Sequence, residues 1–408
     1  MHFLHPWGRE RLPFEAGGQT ISLKESADIR AYGRGALQWD DVARAAAFIT
    51  STDSGVEDFA RPVLVAFEAE IAALGRPGRN LLQALVLFEA LKEHGVRYRA
   101  DANSPFARMA AERTVVDDIQ YPVEVLHKKI GDCDDLTVLY CALLESAGVP
   151  TALVDYPEHI FAMFDTGVER HHAHRLPLDE SLYFVRGDRL WIPVEVTRLG
   201  QSFLEAWRRG AEELAQLSDS ERRRAVVDTE SAWEDFPPAS PSIAGGVSAP
   251  ARATFERVFT EQRAALQGMI DEYIEETYLY PLRRDPDNEG LRTQLLRMYL
   301  ELQRYDTAIT TATNYLLEEV GDKAATYNHL GIAHFLQGEM PQAALNFKQA
   351  MALRPDDRGL EDNLAMAFQK MGKARRTSRQ QTGRTGGEGK RKGVAEEVDV
   401  DGFYWLRQ

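Results

Sequence analysis

Between Tyr327 and Pro355 the spacing of large and small apolar residues leaves little choice of architecture. Tyr327, Leu330, Gly331, His334, Ala343, Phe347, Ala350 and Pro355 suit two antiparallel helices joined by a short turn, in a frame of about 34 residues. A looser copy precedes it at Leu295, Tyr299, Tyr305 and Ala308, and half a copy follows at Leu364, Ala365, Phe368 and Gly372. A unit of this kind cannot bury its own apolar face and must stack on the next. The small residues let helices approach, and the large ones fill the space between pairs. With fewer than three full copies, the helical pattern from Arg252 to Arg283 is expected to cap the stack. Residues 252–372 are therefore read as all-α, an unrelated helical bundle being the plainer alternative.

Upstream the pattern changes. Residues 228–251 hold Pro237-Pro238, Pro241, Gly245-Gly246 and Pro250 among small residues and read as a linker. Residues 51–227 carry helical periodicity first, over 56–74 and 79–94, and strand alternation later, which is an α+β layout. Residues 1–50 mix short apolar runs with glycines and suggest strands and turns feeding a helix from Asp40 to Ile49. Residues 373–408 form a tail: eight Lys or Arg face one acidic residue between Lys373 and Lys392, a composition expected to stay disordered. Its end, with Phe403-Tyr404-Trp405, is aromatic enough to dock on the body or on a partner.

A formal net charge of -15 argues against general affinity for nucleic acid or anionic lipid. The basic tail is the local exception, and a solvated tail is its plainer reading. No apolar run reaches the roughly 18 residues of a membrane span. Met1 to Glu15 has no apolar signal core, so the sequence as written is expected to be cytoplasmic, or periplasmic or secreted if a signal lies upstream. The two cysteines, Cys133 and Cys141, share one expected helix, where eight residues at ~1.5 Å rise hold them too far apart to bridge.

That helix carries the chemistry. Asp132 is a good N-cap with Asp135 in the third helical place, and Gly148 and Pro150 close the segment. Cys133 then stands at the first helical position. There the positive end of the helix macrodipole is expected to lower its pKa, and an unpaired backbone N–H faces any developing oxyanion. Asp134 and Asp135 oppose that ionisation. Strands are expected over Thr151 to Tyr156 and His159 to Asp165, then a hairpin of Ser181 to Arg186 and Arg189 to Thr197 across Gly187-Asp188. A cysteine nucleophile needs a base, and the base needs a group that fixes its tautomer. Cys133, His159 and Glu195 fit in that order. Asp165 is a poorer third member, about 20 Å down the strand from His159 at ~3.3 Å per residue, and Asp155 a weaker alternative.

At these residues the chain resembles a known family. Gly131-Asp132-Cys133-Asp134-Asp135-Leu136, Ala147-Gly148-Val149-Pro150, His159-Ile160-Phe161 and Leu190 to Thr197 look like the bacterial transglutaminase-like branch of the papain-like cysteine hydrolases. The resemblance runs from about Val56 to Leu217, with Gln120-Tyr121-Pro122 upstream and Ser202-Phe203-Leu204 after. It implies a papain/transglutaminase-like domain with Cys133 as nucleophile, His159 as general base and acid, and Glu195 as orienter, where the family more often has Asp. Gln120 or Tyr121 is the implied second oxyanion donor. Members include amide hydrolases, proteases, acyl transferases and inactive relatives, so the resemblance speaks to mechanism more than to substrate. The downstream repeat matches the tetratricopeptide signature, which implies a groove for a protein partner or a protein or peptide substrate.

No cofactor and no metal is called for. His171-His172-Ala173-His174 lacks the usual metal-ligand spacings and reads as a solvated loop near the site. Cys141, among Leu139, Leu143 and Leu144, reads as structural. Trp191 is a wall of the cleft or a core residue. The reading from another class is a scaffold whose papain-like module only binds peptide.

Overall fold

A computed structural model describes residues 14–16, 19–21, 33–72, 75–100, 116–157, 159–239 and 246–382. Most of the N-terminal segment, residues 101–115 and the tail beyond Thr382, aromatic end included, lie outside the described residues. The fold is mixed α+β with a helical C-terminal region. Two compact units divide it: Met1–Val65, Val86–Phe164 and Pro193–Phe255 in one, and Ala66–Leu85, Asp165–Ile192 and Glu256–Gln408 in the other.

The first unit holds the short pairs β1 (Phe14–Ala16) with β2 (Gln19–Ile21), and β3 (Ala36–Gln38) with β5 (Val116–Asp118), both antiparallel. β4 (Arg97–Tyr98) runs parallel to β6 (Ile130–Gly131). The short helix expected after β3 is a 3-10 helix, Val42–Phe48, with Asp41 accepting from the Ala43 N–H. The periodic stretch expected over 56–74 divides into Ser54–Ala66 and Glu68–Ala72, and the next helix starts early, Gly75–His94. Its first turn takes in Pro77, because a proline there gives up an N–H that has no helical partner anyway.

Phe88, from that helix, meets Tyr140 and Phe203 edge-on with ring centroids 5.8 and 5.7 Å apart, and all three are fully buried. Tyr140 belongs to the helix Cys133–Ser146 and Phe203 to the helix Phe203–Gln216, so this contact locks three helices together. Beside it the buried Glu89 carboxylate accepts from the Phe203 N–H at 2.9 Å, satisfying one of the orphan donors of that helix.

A five-stranded sheet has the order β11–β7–β8–β10–β9, with β7 Thr151–Tyr156, β8 His159–Glu169, β9 Phe184–Arg186, β10 Arg189–Val194 and β11 Val226–Asp228. β7 and β8 form a hairpin whose register closes at Tyr156↔His159. Segment 228–251, read as linker, begins instead with the helix Thr229–Asp235, and the Trp233 indole donates to the Ala46 carbonyl at 2.9 Å. Apolar Ala232 and Trp233 give that stretch a docking face.

The helix Arg252–Ile274, which runs into the second unit from Glu256 on, continues through a π-helical turn, Glu275–Leu279, into Tyr280–Arg284. The helices Glu289–Glu301, Tyr305–Leu317, Lys323–Leu336, Met340–Leu353 and Arg358–Thr382 follow, with the short connections that successive packed helices require. The last passes well beyond Gly372, so the first residues of the expected tail are helical. Leu296, Ala312 and Leu330 make one buried cluster across three of these helices, with Ile309, Tyr315 and Tyr327 packed against it. Gly331 has no room for a side chain: a Cβ there would lie 2.5 Å from the ring of the fully buried Phe347. The signature positions Gly331 and Phe347 therefore meet as a small residue under a large one. Among the described residues no helix is long and apolar enough to cross a membrane.

Candidate active site

The site is built on a capped helix end. Asp132, with extended φ −93° and ψ −158°, caps the helix Cys133–Ser146: its side chain accepts from the Asp135 N–H at 3.4 Å, and the Asp135 carboxylate takes the Asp132 N–H at 3.4 Å. Cys133 is thus the first helical residue, half-buried, while Cys141 is fully buried farther along the same helix; both are free thiols.

The start of β8 is fastened to this helix end. The Thr137 hydroxyl lies 2.6 Å from the Cys133 carbonyl and 3.2 Å from the Ile160 carbonyl, its one proton serving one of them at a time. The Ile160 and Asp134 backbone amides donate toward the Cys133 sulfur. Ile160 follows His159 directly, so the imidazole enters the structure next to the strand amide that reaches the sulfur. His159 Nε2 lies 2.5 Å from Glu195 Oε2. Glu195 Oε1 accepts from the Thr197 N–H at 2.9 Å and from its hydroxyl at 2.5 Å. With Nε2 carrying its proton toward a carboxylate, Nδ1 is the ring nitrogen with a free lone pair.

Glu195 does not lie within the strand as its alternation suggested. β10 ends at Val194, and Glu195 caps a 3-10 turn, Val196–Arg198. Burial works against its charge, yet hydrogen bonding and attraction to His159, helped by Thr197 and Glu213, bring its pKa down to about 2. It is a carboxylate at any working pH.

The thiol departs from expectation. Burial, then the Asp134 and Asp132 carboxyl groups, push Cys133 above the ordinary thiol range, and the two amides only partly offset this. Burial and the two carboxyl groups thus favour the thiol over a preformed thiolate. Asp134 is itself driven up, by burial and then by Asp132, and Asp135 rises to about 6 through burial and Asp132, with Gln120 pulling the other way.

The two residues expected to supply an oxyanion donor are committed elsewhere. Gln120 donates its N–H to Asp135 Oδ1 at 2.7 Å, and its side-chain amide is held by Asp135 Oδ2 and the Ile130 carbonyl. Tyr121 donates its N–H to Glu124 at 3.0 Å and its hydroxyl to the Arg34 carbonyl at 3.2 Å. Both brace the loop ahead of Cys133. Trp191 takes the core alternative: it is 5 % exposed in β10, opposite Phe184 and under the Arg186 guanidinium. Asp165 is turned to the Gly167 N–H at 2.7 Å and Arg189 at 3.5 Å, and Asp155 is exposed.

Two residues join the site that sequence reasoning passed over. Tyr98, 42 % exposed and opposite Gly131, has a phenol whose pKa is raised first by burial and then by the charges of Cys133, Asp132 and Glu195, which favours its protonated form beside the helix end. Glu213, 6 % exposed, contacts Glu195 and pairs with Arg209 at 2.7 Å. The signal for Glu213 was present. It is an acid on a helix face otherwise made of Ala206, Gly210 and Leu214.

Among the described residues, three groups bring metal-ligand atoms within 4.8 Å of one another: Asp132, Asp134 and Asp135; Glu169, His171 and His172; and His159, Glu195 and Glu213. The first is the cap itself. In the third, the Glu195 oxygens already accept three hydrogen bonds and Glu213 is tied to Arg209, which accounts for the cluster without an ion. The histidine run splits, His174 turning 3.2 Å from the buried Glu301 while His171 and His172 stay near Glu169 at the surface. No family model, curated protein or solved structure matches the chain.

Proposed function

We propose that the chain is a cysteine enzyme of the bacterial transglutaminase-like, papain-like kind, cleaving amide bonds of protein or peptide substrates through a thioester. The observation that carries this reading is the 2.5 Å contact of His159 Nε2 with Glu195, on a strand whose next amide donates to the Cys133 sulfur. In the first step the thiol proton passes to His159 Nδ1 as sulfur attacks the carbonyl, and Glu195 stabilises the imidazolium that forms. The Cys133 N–H and the Tyr98 hydroxyl are the oxyanion donors in this reading. His159 then protonates the leaving amine, and the thioester is resolved by water in preference to a second amine. The helix pairs after Glu289 are read as a tetratricopeptide-type array that holds a protein partner or the substrate.

A peptide-docking scaffold is the second reading, and the raised thiol pKa is the observation in its favour. Incubating the protein with casein and a dansylated amine separates the outcomes. Shortened casein with little bound fluorescence is the expected result; fluorescence in full-length casein makes the protein a cross-linker, and neither change leaves the scaffold.

A further inference from the structure

The helix Phe203–Gln216 lies unusually close to the chain that carries Glu195. The Glu195 N–H donates to the Ala206 carbonyl at 3.0 Å, and a Cβ on Gly210 would stand 2.9 Å from the Pro193 carbonyl carbon. Ala206, Gly210 and Glu213 share one helical face, so this approach delivers the Glu213 side chain onto Glu195. The result is two buried carboxyl groups in contact behind one imidazole. They cannot both ionise freely. Glu195 keeps its charge, and burial, then Glu195, pushes Glu213 up to about 7, with Arg209 on its own helix and His159 across the site pulling it down.

We infer that Glu213 is a positioning residue that tunes the base, its negative charge strengthening the pull of the Glu195 pair on the proton leaving Cys133. The inference rests on His159 being that base. Coupling is reciprocal: because an imidazolium at His159 favours ionised Glu213, ionised Glu213 favours the imidazolium to the same extent. Glu213 is neutral on the acid side of neutrality and contributes only a hydrogen bond to Glu195. Once ionised, it makes proton transfer from the raised thiol easier.

The test is the rate at which iodoacetamide alkylates Cys133, followed by peptide mass spectrometry across pH in the full-length protein. In that reaction the C–S bond forms, iodide leaves with the C–I electron pair, and the thiol proton goes to His159. Glu213→Gln keeps the size and hydrogen-bonding capacity of the side chain but cannot ionise. The ratio of wild-type to Glu213→Gln rates is expected near one below about pH 6 and to rise about three- to tenfold above about pH 8, tenfold being one pKa unit of coupling. Arg209→Gln, which removes a charge favouring ionised Glu213, is expected to move the midpoint of that rise to higher pH. A ratio that stays constant with pH, at one or at any other value, overturns the inference and leaves Glu213 a packing residue. His159→Asn is the control for the underlying reading. If it leaves Cys133 alkylation unchanged, the base assignment fails, whereas slowed alkylation together with a flat ratio fails Glu213 alone.

Discussion

Cys133→Ala is expected to bring amide turnover to background, and His159→Asn to lower it by about 10⁴-fold or more, the usual cost of removing one member of a nucleophile–base pair. The size of the His159 effect follows from the state of the thiol. A preformed thiolate would keep much of its reactivity without the imidazole, but a thiol raised by burial and by Asp134 and Asp132 needs a proton acceptor at the moment of attack. Asn at 159 keeps much of the side-chain volume and can still face Glu195, but it cannot take the proton. Cys141 cannot substitute, since it is fully buried along the same helix. Turnover of casein by the two variants, with near-ultraviolet circular dichroism to show that folding is intact, checks the expectation. Turnover that survives either substitution contradicts it.

Gly210→Ala is expected to damage stability and activity together. The added Cβ would meet backbone: 2.9 Å to the Pro193 carbonyl carbon and 3.0 Å to its oxygen and to the Val194 nitrogen. Backbone cannot swing aside as a side-chain tip can, so the helix must back away from the strand. The cost is of the order of 1–3 kcal/mol, as for other overpacked sites. The displacement carries off the Ala206 carbonyl that holds the Glu195 N–H, and Glu213 with it, so Glu195 loses its place against His159. A misplacement near 1 Å costs about 100-fold in rate. Gly268→Ala is the matched control: it also lies within a helix, Arg252–Ile274, but a Cβ there meets nothing within 4 Å. It is expected to leave turnover unchanged and to stabilise slightly, because alanine is the better helix former. Thermal unfolding and casein turnover of both variants check the pair.

The parts of this structure that the sequence revealed are those written in local chemistry. Asp132 with Asp135 three residues on is a cap that needs no tertiary information, and it put Cys133 at the first helical position. β7 followed from a short strand-like run, Thr151–Tyr156, bounded by Pro150 and Pro157. Gly331 under Phe347 followed from a spacing that only paired helices satisfy. The misreadings at the site depend on neighbours remote in sequence. The thiol was expected low because dipole and cap are local, while the burial that raises it is set by elements packed over the helix end. Gln120 and Tyr121 looked available because nothing in the sequence announces that Asp135 and Arg34 occupy their donors. Glu213 stands eighteen residues after Glu195, and only the close approach at Gly210 makes them partners. Trp191 was left open between cleft wall and core, and the helix Thr229–Asp235 was read as linker, for the same reason: an aromatic residue marks a buried surface without saying which one.

The account turns on His159 drawing the proton from Cys133. Its most direct test is the iodoacetamide alkylation of the native protein at neutral pH, read at both cysteines by peptide mass spectrometry in wild type and His159→Asn. The account predicts that Cys133 is labelled while Cys141 is protected, and that His159→Asn slows labelling of Cys133 by tenfold or more, about one pKa unit of lost assistance. Equal labelling of Cys133 with and without the imidazole would contradict it.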